Sequence, residues 1–170
     1  EFISDDCSQG SAGASLGITR TGALQLDTGG ALLGVCAVDF RLQGISRLLN
    51  ISLSGQDTWT YVVERDSANL VAISTGEQLV VDVGATVRRR APAESSSNSI
   101  ARSAVQLNRL GWGEASIMSM SSAPGADGQF EAVSKFFDFG GLDWLLVVGQ
   151  DIHCAENEVW AFGTCARCQS

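Results

Sequence analysis

The sequence is nearly devoid of lysine and histidine. Ten of its eleven basic residues are arginine, Lys135 is the sole lysine and His153 the sole histidine. The arginine bias has no structural account, but the single histidine means that any imidazole chemistry must run through His153. Positive charge is scarce as well, with 19 acidic residues against 11 basic ones and a net charge of −8. That balance, with no basic stripe carrying interleaved aromatics, excludes a nucleic-acid partner that is held through its phosphates. No run of about 18 apolar residues occurs, so no helix of this chain is expected to contact or span a membrane. The start, Glu-Phe-Ile-Ser-Asp-Asp-Cys, has neither the basic nor the apolar region of a signal peptide. It reads as an excised fragment, with Glu1-Phe2 a cloning remnant.

What the chain does have is enough apolar residue, 45% of 170, for one well-buried domain. It also has five cysteines. Cys36 stands in the apolar run Leu32 to Val38, which predicts a buried strand and a free core thiol. Cys7, Cys154, Cys165 and Cys168 lie in polar terminal segments, where packing gives no reason for a thiol. Four such cysteines allow three pairings, of which Cys154–Cys165 with Cys7–Cys168 is the favoured one. Asn50-Ile51-Ser52 is a glycosylation sequon, so both signals point to an extracellular or lumenal compartment.

The chain divides into an N-terminal loop (1–14), one folded domain (15–150) and a cysteine-rich tail (151–170). Within the domain, Ser15 to Arg20 predicts a short strand, Thr21 to Gly30 a loop, and Ala31 to Val38 the buried strand. Asp39 is placed to cap a helix in which Leu42, Ile45, Leu48 and Leu49 repeat at helical spacing. Thr58 to Glu64 and Leu70 to Ile73 predict a hairpin across Asp66-Ser67-Ala68-Asn69, with Trp59, Tyr61 and Val63 on one face. Gln78 to Val83 is a further short strand, and Arg88 to Asn98 reads as a solvated loop. A helix is predicted over Ser99 to Leu110, capped by Ser97 or Asn98 and stopped by Gly111. Glu114 to Met120, Gln129 to Phe137 and Leu142 to Gln150 complete the strands. The sum is an α+β domain whose twisted, mostly antiparallel sheet of five to six strands is flanked by helices.

Three constellations hint at catalysis or metal binding, and the context of each argues against it. Gly13-Ala14-Ser15-Leu16-Gly17 matches a nucleophile elbow with His153 downstream, the constellation of a small secreted serine hydrolase. Such an elbow must follow a central strand, whereas only a loop precedes Ser15. His153, Cys154, Cys165 and Cys168 have the ligand types of a zinc site, but adjacent ligands are poor geometry and an even cysteine count favours disulfides. Cys165-Ala166-Arg167-Cys168 lacks the following helix that a redox pair needs. No catalytic residue, metal or cofactor is therefore assigned.

Three segments in order resemble a family. Leu33 to Phe40, Tyr61 to Gly76 and Gly141 to Val148 are similar to the first strand, the opening hairpin and the closing Gly-x-x-Trp-x-x-Val-Val strand of Cache domains. The resemblance covers most of residues 31–150 and is closest to receptors of unicellular eukaryotes. It implies a PAS-like fold and an extracellular ligand-sensing domain of a transmembrane receptor, coupled to an intracellular cyclase or kinase. The fragment itself would not be an enzyme. Implied partners are a small organic acid, amino acid or amine, and a second copy in a homodimer. Candidate binding residues are Trp59, Tyr61 and Trp112 as walls, with Arg102 and Arg109 for a carboxylate. The alternative is a ligand-free spacer or dimerisation module. Gly149-Gln150-Asp151 departs from the family's Pro-Glu, and the cysteine-rich tail stands where a membrane helix would be expected.

Overall fold

Alternating apolar residues that end at turn-forming sequences produce ten strands, and two amphipathic stretches produce helices. The computed structural model describes residues 2–4, 15–25, 30, 32–84, 86–119, 129–138 and 141–152. In chain order the elements are β1 (Phe2–Ser4), β2 (Ser15–Gln25), β3 (Leu32–Arg41), α1 (Leu42–Leu53), β4 (Thr58–Glu64), β5 (Leu70–Ile73), β6 (Val80–Val83), β7 (Thr86–Arg89), α2 (Asn98–Arg109), β8 (Ala115–Ser119), β9 (Phe130–Asp138) and β10 (Asp143–Asp151), with a 3-10 turn at Pro92–Glu94 before α2. The chain is α+β, and every strand pairing among the described residues is antiparallel. Among the described residues no helix is long and apolar enough to cross a membrane.

The main sheet has five strands in the order β5-β4-β10-β9-β8. Numbered by their own chain order these run 2-1-5-4-3, so the first and last strands are central neighbours. The register pairs Tyr61 with Val147 and Val63 with Leu145, placing these four fully buried side chains on one face. Helix α2 covers that face with Ile100, Ser103, Ala104 and Leu107, all buried. Its N-terminus is capped by Ser97, whose side chain accepts from the Ile100 N–H, as expected from sequence. It ends at two successive left-handed residues, Gly111 (φ 71) and Trp112 (φ 53).

Helix α1 closes the outer edge of β5 with a polar stripe. The Ile73 N–H donates to Ser46 Oγ at 3.1 Å, and Asn50 Nδ2 donates to the Ser74 carbonyl at 2.6 Å. An edge strand whose backbone is met by helix side chains cannot recruit another strand there.

Several local expectations are corrected. Asp39 does not cap α1: it sits in β3 and accepts from Thr19 Oγ1 at 2.7 Å, and the helix starts after Arg41 without a side-chain cap. The loop predicted from Thr21 begins later, because β2 runs on to Gln25 paired with β3. The apolar strand exists, but β3 is exposed along its length and so is Cys36. Its partner β2 forms a hairpin that meets the body only near its base, around Leu16, Ile18 and Leu42. The arginine run is not a solvated loop either. Arg88 and Arg89 lie in β7, and the three cations pair in turn with Glu94, Glu64 and Glu77. In the β4–β5 turn the left-handed residue is Ala68.

Candidate functional site

Two regions bear on ligand binding, one on each face of the main sheet. The first is the crevice under α2, where the sequence put Trp59 and Tyr61. Both rings are buried there, stacked with centroids 6.1 Å apart, and Phe130 meets Trp59 edge-on at 5.6 Å. The Tyr61 hydroxyl shares a 3.0 Å hydrogen bond with Ser103 Oγ, which in turn donates to the Ile100 carbonyl at 2.8 Å. Burial drives the phenol's pKa far above its ordinary value, only partly offset by Ser103.

Trp59 is locked further by two residues that sequence reasoning passed over. Its Nε1 donates to Asp151 Oδ1 at 3.0 Å, and its ring lies on Gly149, where an added Cβ would stand 2.2 Å from the indole. The signal was a glycine inside a strand, which marks a close approach. It fell in the very tripeptide that departs from the family pattern.

Arg102 and Arg109 share a face of α2. They border a shallow outer groove with Ala93, Ala101, Val105 and Gln106. Arg102 reaches back to Ser119 Oγ and lies over the Phe130 ring, 5.7 Å from its centre. Arg109 is exposed. Trp112 packs half-buried beyond the helix end, with Nε1 donating to Asn108 Oδ1 at 3.2 Å. The five candidate residues therefore do not converge on one cavity: Trp59 and Tyr61 fill the core beneath α2, while Arg102 and Arg109 border its outer side.

The second place lies on the opposite face, where the base of the β2–β3 hairpin stands off from the sheet. A half-open cleft of about 570 Å³ is lined by Ile18 and Phe40 of the hairpin, Leu42 and Ile45 of α1, and Val62, Trp144 and Leu146 of the sheet. Leu142 and Phe137 close one side, and Thr19, Arg20 and Thr21 supply its polar groups. Its size and apolar lining are those of small-molecule sites. Among the described residues Arg20 is the one ionisable side chain in its lining. No sequence signal marks it, because its walls come from five separated segments.

A carboxylate–arginine cluster fixes β6, β7 and the 3-10 turn beside the sheet. Burial raises the pKa of Glu77, but hydrogen bonds from Ser95, Thr75 and Ser96 outweigh that and hold it below the ordinary range. The same contest at Glu64 is won by Ser67 and Arg89. Glu94, bonded to Arg88 and to the Ala91 N–H, is lowered to about 2. Each of the three carboxylates is held by an arginine and by hydroxyl or backbone donors, which is the arrangement of a structural clamp.

Cys36 is a free thiol, and Asn50 lies within α1 with its amide bonded to Ser74. Ser15 opens β2. Cys7, His153, Cys154, Cys165 and Cys168 are outside the described residues, and with them both disulfides. No cluster of metal-ligating side chains occurs among the described residues. No protein-family model matches the chain, and no curated protein matches it.

Proposed function

We propose that this chain is a PAS-like module of the Cache kind, the extracellular sensing part of a transmembrane receptor. It takes a small, largely apolar molecule into the cleft between the β2–β3 hairpin and the sheet. The observation that carries this reading is the cleft itself, with nine apolar lining residues and three polar ones. The 2-1-5-4-3 strand order supports the PAS-like assignment, as does the similarity of the opening hairpin and closing strand to that family. In this reading the cleft binds its ligand and signal output belongs to a cyclase or kinase elsewhere in the receptor.

The ligand class differs from the organic acids, amino acids and amines that the family resemblance implies. Those would need the crevice under α2, and its own side chains fill it. That filled crevice favours one second reading, a ligand-free spacer or dimerisation element. A thermal-shift screen separates the two. A cleft ligand at 100 times its Kd adds about 2.7 kcal/mol of stability, or roughly 5–10 °C for a chain of this size. Apolar compounds should raise Tm in this way, and Leu146→Asp, which puts an unpaired charge in the cleft, should abolish the shift. No shift across apolar and polar panels would leave the spacer reading standing.

A further inference from the structure

We propose that the cleft behind the β2–β3 hairpin takes a single-chain amphiphile with an anionic head, its apolar chain inward against the sheet and its head at the rim beside Arg20. This rests on the cleft being the binding site, and adds which ligand class it selects and which way round the ligand lies. The cleft is graded in exposure from one end to the other. Its inner wall is closed, with Leu42, Trp144 and Val62 exposed by 0%, 7% and 8%, whereas Phe40 and Phe137 at its rim are each 47% exposed. Arg20 is exposed as well, and it is the one ionisable side chain of the lining among the described residues.

The register of the hairpin explains how a single charge comes to face an apolar cleft. Antiparallel partners share a face of the sheet, and faces alternate along each strand. Ile18 pairs with Phe40 and Arg20 with Val38, so Ile18, Phe40 and Arg20 lie on one face, the face that Leu16 carries into the core. Asp39, the one acid of β2 and β3, pairs with Thr19 on the opposite face and accepts from its hydroxyl. The hairpin therefore turns its cation toward the cleft and its carboxylate away. A wholly apolar ligand that reached the rim would take water from the guanidinium and give nothing back, and a compact polar acid would leave the inner wall unfilled. A cationic head would meet like charge. An alkyl chain with an anionic head suits both ends, and a head left at the rim keeps its water, so no ion has to be buried. Arg20 already has an interaction within the chain, and a guanidinium with five N–H donors can take an anion in addition.

The test is a calorimetric titration of the 170-residue chain with decanoate, decanol and decyltrimethylammonium, which share one alkyl chain and differ in the charge of the head. At neutral pH and low salt, below micelle formation, decanoate should bind tightest and decyltrimethylammonium weakest. Each step in that order should be up to about fivefold, the size of an exposed ion pair, and should shrink as salt is added. Arg20→Gln should bring the three affinities together and Arg20→Glu should invert their order, both with an unchanged far-UV circular dichroism spectrum because the position is exposed. Phe40→Ser, which removes part of the apolar wall at a half-exposed position, should weaken all three and so places the binding in the cleft. Decanoate no tighter than decanol, or an order that survives Arg20→Gln, would overturn the anionic head while leaving an apolar cleft ligand in place. Binding by none of the three, or binding indifferent to Phe40→Ser, would sink the cleft reading and this inference with it.

Discussion

Gly149 and Trp59 fit closely. With a Cβ at residue 149 standing 2.2 Å from the indole, Gly149→Ala cannot be absorbed without moving Trp59 off Asp151. The expected loss is about 3 kcal/mol, the upper end for overpacking, read as a lower urea midpoint with an unchanged slope. Tyr61 offers a spectroscopic check, because it is the sole tyrosine. Burial holds its phenol well above the ordinary 10.0, so phenolate absorbance should not rise through pH 10–11 as a free tyrosine would. It should rise only as the chain unfolds, in step with the loss of circular dichroism. The carboxylates bonded to the arginine run act in the opposite pH range. Glu64, Glu77 and Glu94 all ionise more readily folded than unfolded, where the ordinary value is 4.5. Their stabilisation is complete above that value and drains away as pH falls toward about 2, where Glu94 titrates. Urea midpoints should therefore drop steadily below about pH 4.5, and Glu77→Gln should flatten part of that drop.

Among elements, α1 is held to the sheet by polar contacts as well as by Leu42, Ile45 and Leu49, which pack into or against the core. Leu48 and Ile51 are each 64% exposed, while Ser46 is fully buried against the β5 backbone. Ser46→Ala leaves the Ile73 N–H unpaired and should cost about 1–3 kcal/mol, measurable by chemical denaturation. The sequence pattern located α1 but not these polar contacts. Helical spacing of Leu42, Ile45 and Leu49 shows that a helix exists, but hydrogen bonds to a strand some 25 residues away leave no periodic trace. The hairpin β4–β5 was legible to the residue because both its signals, alternation and turn chemistry, are local. For β3 the apolar run was legible and its burial was not, since an uncharged run reads the same in a core and on a bare arm. The arginine run was misread for a related reason. Charge marks a residue as solvated only until its partners are known, and Glu64 lies 25 positions from Arg89.

At the scale of the whole molecule, the main sheet separates a solid half from an open one. The α2 side is filled and hydrogen-bonded. The other side carries the cleft and exposed Val133, Phe137 and Val148. A ligand in the cleft would bridge the hairpin base, α1 and the central strands, and so stiffen the joint between arm and body. Ligand-dependent protection of amides in residues 16–21, with no change in α2, is the hydrogen-exchange pattern expected of that bridge.

The Asn50 side chain has a consequence for timing. Sugar is attached to a sequon through the amide nitrogen that here donates to the Ser74 carbonyl. Once β5 has docked on α1 that nitrogen is engaged within a helix, which disfavours its attack on a sugar donor, so attachment should precede docking at this position. In a secretory compartment the outcome becomes a race between the modifying enzyme and the emergence of residues 70–74. The fraction of chains that carry a glycan would then serve as a clock for how soon β5 finds its helix.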